Sequence, residues 1–420
     1  MERIKFAHLA DCHIGGWRDE KLRDIGIKSF SKAVDLCIDE KVDFVVIAGD
    51  FFNTSVPGIE GLKEAAKKLR ELKMNEIPVY LIAGSHDFSP SGKTILDVLE
   101  QAGLCINVAK GKVVDSRLQL NFTVDRKTGA KLTGLPGKKG MLEKQYYASL
   151  LNDNLESEDG FKIFLFHTAV SEVKKQELEK MDSVSVSFFP KKFNYYAGGH
   201  VHIVDTSEIG EYKNIVYPGP TFPNNFSELE KLNAGGLYIV EAVKKNSAWD
   251  VSKKFCPIKL VDVNSIKIDC EGKTPAEIRN ELLRKIEGKK FTNTISLIRL
   301  FGKIREGKIT DINLNEAFSL LYEKEAYFVM KNTYSLSSPE FEEIKFDTSK
   351  FEDIEEAIVG EHAGKINISP AVNENEKNDI EKKEFIKSLF SILSREKLEG
   401  ERNQDFEKRL CAEIRESLDL

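Results

Sequence analysis

The chain has 420 residues, 41% of them hydrophobic and 31% charged, with a formal net charge of -6. That length exceeds one ordinary core and predicts two or three domains. The acidic balance lacks the basic footprint of a generic nucleic-acid binder, although a basic patch can sit within an acidic chain.

The six cysteines form no C-x-x-C pair, so neither a zinc knuckle nor a disulfide framework is indicated. The opening residues run straight into a strand, so no leader is expected, and no apolar run is long enough to span a bilayer. A cytoplasmic protein without a membrane segment is expected.

In chain order, residues 4–9, 44–48 and 79–83 are short apolar runs, and 20–40 and 59–74 between them carry apolar groups at helical spacing. Such runs separated by helices predict buried, mainly parallel strands. After about 105 the chain becomes strand-rich, with candidates at 118–124, 131–135, 161–166, 195–197, 215–217 and 237–240. Together they predict a two-sheet α/β sandwich flanked by helices over 1–258. A small α+β capping module is expected over 260–350: a strand at 261–268, a helix opened by Thr274-Pro275-Ala276-Glu277, a strand at 295–301, a helix at 314–322 and a strand at 326–330. Thr as N-cap, Pro at the first helical position and Glu closing a capping box make a strong helix start. Residues 351–420 read as helical and charged, with a polar linker near 370–379. Phe385, Leu389 and Leu393 form one apolar stripe, and Phe406, Leu410 and Ile414 form another. Two short amphipathic helices cannot bury both stripes alone, so they either fold back on the body or dock on a partner.

Chemistry concentrates in the first domain, which holds six of the seven histidines. Asp11-Cys12-His13, Gly49-Asp50, Gly84-Ser85-His86-Asp87, His167 and Gly199-His200-Val201-His202 each stand where a hydrophobic strand stops. His8 lies inside its strand and reads as a core residue. Any one fragment alone is as readily a turn, a helix cap or a surface histidine. One arrangement explains all of them, because ligands of open α/β sheets bind beyond the carboxyl ends of the strands. Imidazole and carboxylate suit Mn(II), Fe, Zn or Mg. Two such ions ~3.5–4 Å apart can activate a water and clamp phosphoryl oxygens. A carboxylate must bridge them, and Asp50 is central in strand order.

The order D-x-H, G-D, G-x-H-D, H, G-H-x-H resembles the motif set of the calcineurin-like metallophosphoesterases over residues ~1–225. Ala10-Asp11-Cys12-His13-Ile14-Gly15, Gly49-Asp50-Phe51-Phe52-Asn53, Tyr196-Ala197-Gly198-Gly199-His200-Val201-His202 and Tyr217-Pro218-Gly219-Pro220 are similar to phrases of the nuclease subunits of double-strand-break repair complexes, the SbcD-like DNA repair exonucleases. The resemblance implies a first metal on Asp11, His13, Asp50 and His202, and a second on Asp50, His167 and His200 with Ser85 as a further ligand. It assigns His86 to the scissile phosphate and Asp87 to orienting that loop. It implies direct attack by a metal-activated water, without a covalent intermediate. Two departures stand out. Ser85 replaces the family's usual Asn, a better neutral ligand. Asn53 stands where a His or Asp often pairs with the third-motif histidine, and it cannot act as an acid. Mn(II) is expected to serve better than Mg, because imidazole ligands dominate.

The same resemblance implies a DNA nuclease of double-strand-break repair. Lys289, Lys290, Arg299, Lys303 and Arg305 of the capping module are its candidate DNA contacts. The tail helices would bind a coiled-coil ABC-type (SMC-like) ATPase, and the catalytic domain would form a homodimer. The alternatives are a hydrolase of small phosphoesters on the same fold, or a catalytically weak DNA-binding scaffold subunit.

Overall fold

The computed structural model describes residues 2–89, 94–138, 143–174, 181–246, 248–339, 392 and 403–417. The chain divides into two compact units, Met1–Glu340 and Phe341–Leu420. Among the described residues, no helix is long and apolar enough to cross a membrane.

The first unit opens with β1 (Arg3–Leu9), α1 (Glu20–Asp39), β2 (Phe44–Ala48), α2 (Ile59–Met74), β3 (Val79–Ile82), α3 (Ile95–Gln101) and β4 (Ile106–Asn107). These strands pair in parallel, in registers such as Phe6↔Phe44 and Val45↔Val79. Parallel neighbours need a crossover, and the helices supply it. α1 is capped by the Asp19 side chain and buries Leu22, Ile25, Phe30, Ala33, Val34 and Cys37.

A hairpin follows, β5 (Gly111–Val114) and β6 (Arg117–Leu120), then β7 (Thr123–Val124) and β8 (Lys131–Leu135). The run at 118–124, expected as one strand, is therefore two. Asp115 and Ser116 both take positive φ (48° and 61°), the geometry of a two-residue hairpin turn, which closes β6 back on β5. Next come α4 (Lys144–Ala148), α5 (Asp153–Glu156), β9 (Lys162–His167), β10 (Tyr195–Gly199), β11 (Asp205–Ile209), β12 (Tyr212–Tyr217), α6 (Phe226–Leu232), β13 (Gly235–Lys245) and β14 (Ala248–Ile258).

Two six-stranded sheets result, in the orders β14-β13-β1-β2-β3-β4 and β11-β12-β10-β9-β8-β7. They pack face to face through Phe6, Phe44, Tyr80, Ile163, Leu165, Tyr195, Val216 and Val240. Phe6 stacks on Phe44 at 5.2 Å and meets Tyr195 edge-on at 5.1 Å. α1 and α2 cover the outer face of the first sheet. The architecture is an α/β sandwich of two sheets flanked by helices, with a C-terminal helical region.

His8 is buried between the sheets as a core residue, its Nδ1 2.9 Å from the Tyr195 hydroxyl. Burial pushes its imidazole down to about 3 from an ordinary 6.5. The unfolded chain binds this proton first, so stability is complete above pH 6.5 and falls as pH drops toward 3, by up to about 5 kcal/mol. His8→Phe is expected to flatten that part of the acid-unfolding profile. A profile as steep as wild type would contradict this.

The rest of the unit is a smaller module: β15 (Asp262–Asp269), α7 (Pro275–Glu287), β16 (Thr294–Lys303), α8 (Asn315–Glu323), β17 (Phe328–Asn332) and β18 (Leu336–Ser337). Thr274 caps α7 and Glu277 closes the capping box. In the parallel sheet β15-β16-β17, the central strand β16 is buried on both faces. Along β16 the side chains alternate. Ile298 and Leu300 join the core under α7 and α8, whereas Ile295 and Leu297 pack on Leu22 and Ile25 of α1 and Phe226 and Leu229 of α6.

Candidate metal centre

The strands carrying Asp11, Asp50, His86, His167 and His200 end at one rim. The β1–β2 pairing continues past the strands: Asp11 N–H donates to the Gly49 carbonyl (3.1 Å) and His13 N–H to that of Asp50 (2.9 Å). This sets both carboxylates side by side. Asp11 (φ 50°), His13 (40°), Asp50 (45°), His200 (90°) and His202 (48°) all adopt positive φ. For residues other than glycine this costs of order 1–3 kcal/mol each, and such strain gathers where a site dictates side-chain direction.

One donor atom from each member of three triads converges within 4.8 Å: Asp11–His13–His202, His13–Asp50–His86 and Asp11–Asp50–His167. Asp50 Oδ2 lies 3.2 Å from His167 Nε2 and 3.7 Å from His13 Nε2. Asp11 Oδ1 lies 3.7 Å from His202 Nε2 and 3.9 Å from His167 Nδ1. Asp11 thus belongs to two triads, a sharing expected only of Asp50. His200 belongs to none: its ring lies 5.2 Å from that of His167, while its backbone N–H donates to Asp11 at 2.9 and 3.0 Å. His86, assigned to the phosphate, comes close enough to His13 and Asp50 to complete a triad. Ser85 Oγ stands 3.5 Å from Asp50 Oδ2.

The donor set fits divalent cations. Metal-bound imidazoles hold their other ring nitrogen in a fixed hydrogen bond. His167 Nδ1 lies 2.8 Å from the Ala48 carbonyl, His86 Nδ1 2.8 Å from that of Asn53, and His202 Nδ1 2.9 Å from Glu228 Oε1. Each Nε2 is left for the centre. That of His167 is buried without a hydrogen bond of good geometry. His13 and His202 bring Nε2 atoms to 3.0 Å, as two ligands of one cation do.

Charge is shared accordingly. Burial lowers the His13 imidazole to about 3, and His202 adds to the effect. Burial, reinforced by His167, lowers His200 to about 4. Burial opposes protonation of His167 as well, but Asp50 outweighs it and holds that imidazole up at about 10. Asp11 and then Glu228 likewise outweigh burial at His202, raising it to about 9. Asp50 stays far below the carboxylate range because His167 overcomes its desolvation. The two protonated histidines occupy the electrostatic role of cations, so metal loading expels protons. When bound, two divalent ions polarise a phosphoryl oxygen and lower the pKa of a water.

Asp87 is a positioning residue. Its buried carboxylate accepts from the backbone N–H groups of Phe51 (3.0 Å), Phe52 (2.9 Å) and Gly84 (3.0 Å), tying the β2 and β3 loops together. Burial, and then Asp50, raise it to about 6. Asn53 orients His86 through its backbone carbonyl, so the departure at its side chain leaves that contact intact.

The centre opens onto a cleft of about 580 Å³ whose lining includes Asp50, Ser85, His86, His200 and His202 together with the apolar Val201, Ile203, Val204 and Leu232. Glu228 also lines it. Sequence reading missed this residue. Its only local signal is the Asn225-x-x-Glu228 capping pattern, which says nothing of a histidine far upstream.

The five capping-module cations do not form one patch. Lys289 and Lys290 are exposed beyond α7, and Lys303 and Arg305 are exposed at the far end of β16, about 30 Å of strand away. Arg299 turns to the catalytic domain, its Nε 2.9 Å and Nη2 2.9 Å from Glu230 Oε2. Phe385, Leu389, Leu393 and the linker near 370–379 lie outside the described residues. Phe406, Leu410 and Ile414 lie half-buried on the helix Asn403–Ser417.

Residues 4–204 match the family model of the calcineurin-like phosphoesterases. A DNA double-strand break repair protein Mre11 of Methanococcus maripaludis is 30% identical over 293 residues, covering 67% of this chain and 69% of that protein. The Mre11 of Archaeoglobus fulgidus is 28% identical over 307 residues, 70% of this chain, which span 65% of that relative's length. That of Methanocaldococcus jannaschii is 26% identical over 318 residues, 72% and 77% of the two chains. With its sandwich fold and its rim of carboxylates and imidazoles, this chain belongs to the calcineurin-like metallophosphoesterase superfamily and is related, at low identity, to the Mre11 family.

Proposed function

We propose that this protein is a two-metal DNA nuclease that hydrolyses phosphodiester bonds at DNA ends in double-strand-break repair. The observation that carries the reading is the pair of shared carboxylates, Asp11 and Asp50, each serving two histidine-containing triads. That arrangement suits two adjacent cations, and two cations suit in-line displacement at phosphorus. Three relatives named DNA double-strand break repair proteins support DNA as the substrate. Mn(II) is the proposed metal in preference to Mg, because imidazoles make up most of the donor set and Mg is the harder, more oxygen-seeking ion. His86 meets the scissile phosphate. The C-terminal helices dock on a coiled-coil ABC-type ATPase, and the working form is a homodimer.

Purified protein is expected to degrade linear DNA with Mn(II) and to stop in EDTA. His86→Ala should lose roughly a hundredfold or more in cleavage rate. DNA cleavage that persists in EDTA would contradict the reading. Turnover of an aryl phosphomonoester far above DNA cleavage would favour a small-substrate hydrolase. A chain truncated near residue 370 should no longer co-purify with its ATPase.

A further inference from the structure

α6 has seven residues and touches both the metal centre and the capping module. Residues two apart on a helix point about 200° apart, so Glu228 and Glu230 face opposite ways. Glu228 Oε1 takes His202 Nδ1 at 2.9 Å, and its Oε2 takes the Asn224 backbone N–H at 2.7 Å. Asn224 Nδ2 in turn lies 3.4 Å from Asn53 Oδ1, and the Asn53 carbonyl holds His86.

On the other side, the largely buried Glu230 carboxylate receives Arg299 of β16 in a two-pronged contact. It also receives the Ser265 hydroxyl at 2.8 Å and lies 3.6 Å from Lys267 Nζ, both on β15. The Arg299 guanidinium lies 5.0 Å above the Phe226 ring, so the same cation holds α6 at two points. Phe226 and Leu229 fill the apolar seam with Ile295 and Leu297. A helix this short has little stability of its own, and its position comes from these contacts.

We infer that α6 is a rigid link through which the seating of the capping module, gripped by the Glu230–Arg299 pair, sets the Glu228–His202 contact and with it the affinity of the first metal site. Glu228, Glu230 and Arg299 are then positioning residues. Arg299 acts on the centre through α6 and is removed from the set of DNA contacts. The inference rests on the metal-centre reading and not on DNA being the substrate.

The test is Mn(II) binding to the full chain, read by electron paramagnetic resonance of the free ion and needing no substrate. Glu228→Gln is expected to weaken the first metal site roughly 10- to 100-fold, as loss of a ligand's hydrogen-bond partner does. Arg299→Leu should weaken it roughly threefold to tenfold, and Arg299→Lys should restore most of that. The double variant Glu228→Gln/Arg299→Leu should bind no worse than Glu228→Gln alone, since both act through one contact. Wild-type affinity in Arg299→Leu, or full additivity in the double variant, overturns the coupling. Should Arg299→Leu fail to fold, the same additivity test run with Glu230→Gln decides. A wild type that binds no Mn(II) overturns the metal-centre reading together with the link, whereas an indifferent Arg299→Leu overturns the link alone.

Discussion

Asp50→Asn is expected to lower kcat/KM for a phosphodiester by at least about a thousandfold, near 4 kcal/mol of transition-state stabilisation. The side chain keeps its shape and loses its charge. Oδ1 accepts the His86 backbone N–H at 2.7 Å, and Oδ2 stands 3.2 Å from His167 Nε2, 3.7 Å from His13 Nε2 and 3.5 Å from Ser85 Oγ. An amide can keep one of these sides, while its NH2 group confronts nitrogen and hydroxyl donors on the other. His167 also loses the carboxylate that holds its proton, so the metal-free variant has a buried imidazole with its main counter-charge removed. Both consequences strike the two triads that contain Asp50. A variant retaining wild-type metal content and more than a tenth of the activity would contradict a bridging role.

Gly49→Ala is expected to destabilise the metal-free protein by more than about 3 kcal/mol and to remove the site built on His167. The residue sits at φ 82°, which costs a side chain about 1–2 kcal/mol by itself. Its Cβ would also lie 2.2 Å from His167 Nδ1, the atom bonded to the Ala48 carbonyl at 2.8 Å. Backbone and ring cannot both keep their places. Gly15 separates the two causes: it has φ 88°, and a Cβ added there would meet nothing within 4 Å. Gly15→Ala should therefore lose only the backbone increment and keep its metal. Urea unfolding in EDTA compares the two, and equal losses would show that the His167 contact contributes nothing.

The apolar runs at 44–48 and 79–83 were legible as buried parallel strands because each is short, β-branched and followed by polar groups. The capping box at Thr274 was legible for the same local reason. β14 was not. Trp249, Val251 and Phe255 alternate with Asp250, Ser252 and Lys254, but Lys253 interrupts the apolar face, and the strand is plain only once β13 lies beside it in register Leu237↔Cys256. At the centre, motif spacing placed Asp11, His13, Asp50, His167 and His202 on one rim. It did not show which way each carboxylate turns, so the double membership of Asp11 and the absence of His200 from the triads emerged only with backbone geometry. Glu228 and Glu230 were invisible because their partners, His202 and Arg299, lie in other elements, and a short charged helix has the same pattern whether it is solvated or wedged between domains.

If one rim holds two cations through shared carboxylates, the number of Mn(II) ions per chain at saturation must show it. Two are expected on each wild-type chain and at most one on Asp50→Asn. A wild type that saturates with one ion or none, or an Asp50→Asn variant that still holds two, would contradict the shared-carboxylate centre.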